Sequence, residues 1–377
     1  MDRRDFLRLS AVSLAGLGLS GFRPPQASGR CRKNDAYNIV ILGDTHFDTE
    51  PAEVYHSHYN EPVEWLNRVQ RAEFARNGEM WRERCPRLVK RAACLVDQDT
   101  RQILQMGDLI QGDCGSGEVH RKMLGDAMDS FKAAFGGSLP LVTVVGNHDI
   151  RGTDAKDVYH EYMPQRMSQE LGRDVTKTTF AYWIGPDAYI VIDFNDPDDV
   201  EVGKLLEETR RARHTFIVVH GPVLPFDSAS CRWFYHGSAK PGHTEARRRF
   251  RKEFAARGAI VLCGHVHRTE LADWWGDGGR ITQMTMNSVW SQPDKDQYKI
   301  ISEGADSYGT LRIGTKQDNG KPIGDETALF DEYRPGLRRY SVSPAAGSYK
   351  LSVDRKHVTI DFYAGDSTFC TQRFELR

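Results

Sequence analysis

From residue 37 onward, short apolar runs that each stop at a polar group set the pattern of the chain. Runs of roughly four to eight apolar residues between turn residues are typical of strands buried on both faces. Each run here ends at a histidine, or at a glycine followed by a polar residue. We therefore predict five strands, at residues 37–42, 103–106, 141–145, 215–219 and 259–263.

Helical periodicity fills the intervals between these runs. Strands that alternate with helices predict sheets with helices on their outer faces, and ligands of such sheets gather outside the carboxyl ends of the strands. The polar clusters fall at those ends. The predicted helices cover residues 82–97, 118–135, 155–172, 198–212 and 243–257.

Two further segments depart from this alternation. Residues 48–80 are polar and aromatic, and we interpret them as an insertion that forms a lid or rim. Residues 339–377 alternate between apolar and polar positions in the manner of strands, with turn residues between them. They predict a small C-terminal β extension packed on the main domain, which covers residues 37–338.

We interpret residues 1–30 as a targeting segment and leave them out of the fold prediction. Arg3 and Arg4 precede Phe6 and Leu7, and a short apolar run follows at residues 11–19. That run is too short for an ordinary transmembrane helix, which needs about 20 apolar residues, so no stable span is expected beyond this segment. The pattern resembles the bacterial twin-arginine export signal. It implies the twin-arginine machinery as a partner and a periplasmic or extracellular location, with tethering through an uncleaved signal or a chance arginine pair as alternatives.

Composition and charge change this picture little. The 39% of apolar and 27% of charged residues are ordinary for a globular protein. The 51 Lys and Arg residues nearly cancel the 52 Asp and Glu residues, so no net field recruits nucleic acid, and no such partner is expected. The seven cysteines are scattered and never form C-x-x-C, which argues against a zinc knuckle or a disulfide-dense scaffold.

The polar clusters at the ends of the five apolar runs form an ordered set. Each alone occurs by chance in many proteins, but all five in this order are specific. Over residues 37–290 the set resembles the calcineurin-like metallophosphoesterases, which implies a two-sheet α/β/β/α sandwich. The clusters are Gly43-Asp44-Thr45-His46, Gly107-Asp108, Gly146-Asn147-His148-Asp149, His220 and Gly264-His265-Val266-His267.

The resemblance assigns a metal ligand to seven of these positions. Asp108 matches the carboxylate that bridges two metals. The implied ligands of the first metal are Asp44, His46 and His267. The implied ligands of the second are Asn147, His220 and His265. Imidazole and carboxylate donors suit two divalent or mixed-valence transition-metal ions such as Mn, Fe, Zn or Ni.

The resemblance also implies the chemistry. Metal-bound hydroxide would be the nucleophile, His148 would contact the phosphate and protonate the leaving oxygen, and Asp149 would orient His148. Purple acid phosphatases carry a tyrosine three residues after the bridging aspartate. Gln111 stands there in this chain, so the resemblance to that branch fails.

The expected function is hydrolysis of a small-molecule phosphoester. Monoester and diester substrates both remain open, as does hydrolysis of a pyrophosphate or a nucleotide sugar. A binding module that keeps the fold without catalysis is a further alternative, although such modules lose metal ligands. Arg151 is either a phosphate clamp or a surface charge, and Gln111 and Asp113 are candidates for the pocket lining.

Overall fold

The computed structural model describes residues 35–51, 54–55, 64–195, 199–226, 243–289, 302–310 and 327–377. The described strands, in chain order, are β1 (Tyr37–Leu42), β2 (Thr100–Gln105), β3 (Leu141–Thr143), β4 (Phe180–Ile184), β5 (Asp187–Ile192), β6 (Thr215–Val219), β7 (Ile260–Cys263), β8 (Thr269–Gly276), β9 (Gly279–Thr285), β10 (Ser302–Glu303), β11 (Leu337–Ser343), β12 (Gly347–Val353), β13 (Val358–Ala364) and β14 (Gln372–Glu375). The described α-helices are α1 (Glu64–Ala93), α2 (Gly117–Ala134), α3 (Ala155–Leu171), α4 (Asp199–Glu208), α5 (His243–Arg257) and α6 (Thr327–Tyr333).

The strands form two mixed sheets. The six-stranded sheet has the order β14-β13-β12-β1-β2-β3, and the eight-stranded sheet has the order β10-β11-β8-β9-β7-β6-β5-β4. In the first, β1 to β3 run parallel to one another. In the second, β5 to β7 do so. Each sheet therefore has a parallel portion whose carboxyl ends share one edge.

Alternate residues of the eight-stranded sheet are buried in two different layers. Tyr189 and Val191 of β5 join the apolar cluster that contains the six-stranded sheet. Ile190 and Ile192 of the same strand join a second cluster with residues of α4 and α5. Helices α1 to α3 contact the six-stranded sheet, whereas α4 and α5 contact the eight-stranded one. The predicted α/β/β/α sandwich is confirmed.

The C-terminal β segment is built into both sheets. Strand β11 pairs with β8, while β12 pairs antiparallel with β1, with Leu351 opposite Ile39. Strands β13 and β14 then continue the six-stranded sheet outward. Because β12 covers the open side of β1, this segment completes the sheet that carries the first polar cluster.

The predicted insertion at residues 48–80 is partly wrong. Helix α1 begins at Glu64, well before the helix start predicted at residue 82. Its first half is rich in Glu, Arg and Asn, so the apolar periodicity that would reveal a helix is weak there. The side chain of Trp81 in this helix donates to the Thr45 carbonyl, at 2.9 Å from Nε1.

The segment with the twin-arginine pattern, residues 1–30, lies outside the described residues. Among the helices that the structure describes, none is both long enough and apolar enough to cross a membrane.

Candidate metal centre

The polar clusters from the two sheets meet at one edge of the sandwich. Residues that follow β1 and β2 come from the six-stranded sheet, and residues that follow β6 and β7 come from the eight-stranded sheet. This is the edge at which α/β sheets bind ligands. The predicted histidines and aspartates that gather here are Asp44, His46, Asp108, His148, His220, His265 and His267.

One group of metal-capable side chains consists of Asp44, His46 and His267, with ligand atoms within 4.8 Å of one another. Nε2 of His267 lies 3.0 Å from Oδ2 of Asp44 and 3.3 Å from Nε2 of His46. Asp44 and His46 are buried, whereas the side chain of His267 is 29% exposed. A carboxylate and two imidazoles that converge in this way suit a first-row transition metal.

A second group consists of Asp108, His220 and His265, again with ligand atoms within 4.8 Å of one another. Nδ1 of His220 lies 2.6 Å from the Met106 carbonyl oxygen, which can only accept, so Nδ1 carries a hydrogen. In the neutral ring, Nε2 of His220 then presents a lone pair to Oδ2 of Asp108, 3.3 Å away. Two electron-rich atoms at that distance need a cation or a proton beside them.

The pKa values of His220 and Asp108 also indicate that positive charge stabilises this group. Burial opposes a charge on His220, but the carboxylates of Asp108 and Asp44 outweigh it and raise the pKa of His220 to about 9. Burial also opposes ionisation of Asp108. The imidazoles of His220 and His148 nevertheless hold the pKa of Asp108 well below its usual range. The site therefore favours bound positive charge.

Asn147 adds an oxygen donor to this edge. Its Oδ1 is buried and has no hydrogen-bond partner among the described residues. An unsatisfied buried acceptor typically costs about 1–3 kcal/mol, and a cation would satisfy it. The orphaned amide oxygen, the facing lone pair and carboxylate, and a donor set of imidazole and oxygen all fit transition-metal ions.

Four of the site residues hold a backbone conformation that L residues rarely adopt. The angle φ is +40° at His46, +47° at Asp108, +71° at His265 and +50° at His267. The left-handed conformation costs about 1–2 kcal/mol per residue. Strain of this kind collects at functional sites, where the surrounding structure holds it in place.

Two of the glycines that punctuate the clusters allow the loops to approach closely. A Cβ atom at Gly146 would overlap the backbone nitrogen of Asp108, and one at Gly264 would overlap the carboxylate of Asp44. Glycine is therefore required at both positions for the two sheets to present their side chains to one point.

His148 lies against the same groups. Its ring centroid is 4.5 Å from that of His46, and it forms a third group of ligand atoms with His46 and Asp108. Nδ1 of His148 donates to the Gln111 carbonyl oxygen at 2.7 Å, which leaves Nε2 as the nitrogen available to the site. Burial and the neighbouring guanidinium of Arg151 lower the pKa of His148.

The Asp149 carboxylate is directed at backbone groups of two loops, and the role of orienting His148 that the resemblance implies stays a prediction. This carboxylate accepts hydrogen bonds from the backbone N–H groups of Ile110 at 3.1 Å and Gly146 at 2.8 Å. His148 and Asp149 are consecutive in a 3₁₀ turn, so their side chains point about 120° apart. Asp149 joins the loops after β2 and β3. Burial and the charge of Asp108 raise the pKa of Asp149 to about 7.

The end of β5 contributes residues that the sequence analysis missed. Phe194 is buried, with its ring centroid 5.2 Å from that of His220 and 6.0 Å from that of His265. It therefore forms an apolar wall behind two candidate ligands. Residues 188–192 are an apolar run that ends at Asp193, so the pattern that revealed the other clusters was present here too.

The chain matches one family of known proteins. A family model described as "Calcineurin-like phosphoesterase" matches residues 37–269, more than half of the chain. No curated protein gives a significant sequence match. Among solved structures, the chain is similar to one titled "Structure of PhoD", at 11% identity and a TM-score of 0.47, covering 90% of this chain and 68% of that one. It is also similar to "GAP50 the anchor in the inner membrane complex of Plasmodium", at 10% identity and a TM-score of 0.46, covering 91% and 89%.

Proposed function

The chain belongs to the calcineurin-like phosphoesterase family, and we propose that it hydrolyses a phosphoester at a site for two transition-metal ions. The observation that carries this proposal is the position of Asp108. Its Oδ2 lies 3.8 Å from Nε2 of His46 in one ligand group and 3.3 Å from Nε2 of His220 in the other. A carboxylate so placed supports a role as the bridge between two cations.

Each ion would take its remaining ligands from both sheets. Asp44, His46 and His267 would hold one ion, and Asn147, His220 and His265 the other. When bound, the ions supply Lewis acidity toward phosphoryl oxygens and lower the pKa of water toward neutrality. We expect the ions to be drawn from Mn, Fe, Zn and Ni, because the ligand groups consist of imidazole and carboxylate donors.

His148 is the residue that we assign to proton transfer. The hydrogen on Nδ1 is donated to the Gln111 carbonyl, so the proton that passes to the leaving oxygen must be the one held at Nε2. The hydrogen bond from the backbone N–H of His148 to Oδ1 of Asp108, at 2.7 Å, fixes this residue against the proposed bridge. From this position His148 would contact the phosphate and protonate the leaving oxygen.

The substrate is a small phosphoester, and the site supports monoester and diester hydrolysis equally. Hydrolysis of a pyrophosphate or a nucleotide sugar would use the same ligands. A non-catalytic binding module is less well supported, because the full ligand set and His148 are present.

The test is a metal count and a substrate panel on the same preparation. Protein purified without chelator should contain about two transition-metal ions per chain, and it should hydrolyse at least one of an aryl monoester, an aryl diester, a pyrophosphate and a nucleotide sugar. Chelation should abolish the activity, and re-addition of the metal should restore it. One tightly held zinc with no second site would contradict the two-metal proposal, whereas two metals without turnover of any ester would favour the binding module.

We also propose that the chain is exported in folded form by the twin-arginine machinery. Support comes from Arg3 and Arg4 ahead of the short apolar run at residues 11–19. Replacing both arginines by lysine should leave a folded, metal-loaded protein in the cytoplasm, because a receptor reads the signal. Unchanged delivery to the periplasm, measured by fractionation, would contradict this route.

A further inference from the structure

The loops that follow β2 and β3 are fastened together behind His148. The backbone N–H of Asp113 donates to the Arg151 carbonyl at 2.6 Å, and the N–H of Thr153 donates to the Cys114 carbonyl at 2.9 Å. Between the same two loops, Nδ1 of His148 donates to the Gln111 carbonyl. The orientation of the imidazole therefore depends on the distance between the two loops.

An ion pair also joins these two loops. Nε of Arg151 lies 3.0 Å from Oδ2 of Asp113, and Nη2 of Arg151 also contacts that carboxylate. The Asp113 side chain is fully buried, while that of Arg151 is 29% exposed. Two guanidinium N–H groups that converge on one buried carboxylate fix geometry as well as charge.

The loop that the pair holds is strained. Gly112 and Asp113 are successive residues in the left-handed region, with φ of +70° and +56°. A Cβ atom at Gly112 would overlap the His148 carbonyl oxygen, so the two backbones are in close contact there. A non-glycine residue such as Asp113 keeps this conformation only when other contacts impose it, and Arg151 supplies two of them.

We propose that the Asp113–Arg151 ion pair is the positioning unit of His148, keeping its Nδ1 on the Gln111 carbonyl and its Nε2 toward the metal ligands. Nη2 of Arg151 also lies 3.3 Å from Nδ1 of His148. Guanidinium can only donate, and Nδ1 already donates to Gln111, so Arg151 borders the ring without bonding to it. This proposal extends the function proposed above, and Arg151 acts through His148 rather than on the substrate.

The first test does not depend on activity. In zinc-loaded protein with ¹⁵N-labelled histidine, the His148 ring should show the tautomer with hydrogen on Nδ1, its signals being assigned by their loss in His148→Gln. Arg151→Met should populate the other tautomer. Arg151→Lys, which keeps the charge but not the two fixed donors of the guanidinium, should give an intermediate result and covers the case in which Arg151→Met does not fold. An unchanged tautomer in every folded variant would overturn the proposal.

The second test is a double-variant cycle. Arg151→Met should lower kcat for alkyl esters by about 10–100-fold, the usual cost of losing a group that orients a functional side chain, with little change in KM. In the His148→Ala background it should cause no further loss. A raised KM in both backgrounds would show instead that Arg151 binds the phosphate, and would overturn the positioning role.

Arg373→Met is the matched control. Arg373 forms a bidentate pair with Asp361 on β13 and β14, with distances of 2.6 and 2.8 Å, at the outer edge of the six-stranded sheet. Its removal should leave the His148 tautomer and kcat unchanged. If the wild-type protein hydrolyses no ester at all, the proposed function fails, but the tautomer measurement still decides whether the pair positions His148.

Discussion

Buried polar clusters lie at both ends of the parallel strands, and they differ in how their charges are satisfied. At the amino end, Asp187 accepts hydrogen bonds on both carboxylate oxygens, from Tyr37, from the backbone of His214 and from Nε and Nη2 of Arg213. At the carboxyl end, Oδ2 of Asp108 lies 3.3 Å from Nε2 of His220, a contact that is favourable only with a cation or a proton beside the two atoms. Protein donors alone satisfy the carboxylate of Asp187, whereas they do not satisfy that of Asp108.

Backbone geometry separates the two ends in the same way. Four candidate ligands at the carboxyl end have positive φ, whereas none of Tyr37, Asp187, Tyr189 and Arg213 does. A network whose donors and acceptors are matched stabilises the fold. An unmatched and strained network is better explained by a ligand that completes it. Substitutions at the two ends should therefore affect different properties.

The largest effect is expected for Asp108→Asn. The change removes the negative charge between two proposed cations, so metal content should fall and activity should drop by more than the ~10⁴-fold upper range of acid–base catalysis. Elemental analysis and turnover of an aryl ester, measured on the same sample, give both quantities. Two retained metals with near-normal turnover would show that Asp108 is not the bridge.

The next largest effect is expected for His148→Ala. Loss of a general acid should lower kcat by about 10²–10⁴-fold, or about 3–5 kcal/mol, with both metals retained. The loss should be greater for alkyl than for aryl esters, because aryl leaving groups need little protonation. Since His148 also lies in a ligand group with His46 and Asp108, loss of metal in this variant would make it a ligand instead. An equal loss for both ester classes would argue against the acid role.

Asp187→Asn at the opposite end should act on stability alone. Breaking a buried ion pair leaves Arg213 without its charge partner and should lower the free energy of unfolding by on the order of 3 kcal/mol. Metal content and kcat of the folded protein should remain those of the wild type. Denaturant unfolding measures the first, and elemental analysis with steady-state kinetics the second. Loss of metal here would mean that the two ends are not independent.

The positions of the polar clusters could be predicted from the sequence because parallel strands buried on both faces read as apolar runs, and their ends mark one edge of each sheet. The assignment of these residues as metal ligands came from the family resemblance. The alternation of strands with helices predicted sheets covered by helices, and the two-sheet sandwich was implied by the family resemblance. Helix α1 was only partly found, because the polar first half of Glu64–Ala93 has no clear apolar stripe. The end of β5 was overlooked, so Phe194 and its contacts with His220 and His265 were missed.

The partner of His148 could not be predicted, for a different reason. The group that fixes its ring is the carbonyl of Gln111, and a backbone atom leaves no trace in residue type. The adjacent Asp149 was the reasonable expectation, yet its carboxylate is directed at the backbone of Ile110 and Gly146. The left-handed turn at Gly112 and Asp113, which brings the Gln111 carbonyl to the ring, depends on tertiary contacts with Arg151.

His160 tests whether the two ends of the strands differ because their hydrogen-bond donors and acceptors are paired to different degrees, or merely because of where they lie. Its substitution should have the smallest effect of those considered. It lies near the metal edge, where Nε2 donates to Asp193 at 2.9 Å and Nδ1 donates to the Lys156 carbonyl at 2.7 Å. Two donating nitrogens require the charged ring, and the hydrogen bond to Asp193 accordingly raises the pKa of His160.

Because the pKa of His160 is higher in the folded than in the unfolded chain, its stabilisation should be fully present below about pH 6.5 and lost as the pH rises through the folded-state value. His160→Gln keeps a donor to Asp193 but does not titrate. Wild type should therefore exceed this variant in unfolding free energy at pH 5.5, by less than about 1 kcal/mol for a partly exposed pair, and the difference should shrink at pH 9. A loss of kcat in His160→Gln with no change in the pH dependence of stability would place His160 in the functional site. It would also show that the pairing of donors with acceptors does not distinguish the two ends of the strands.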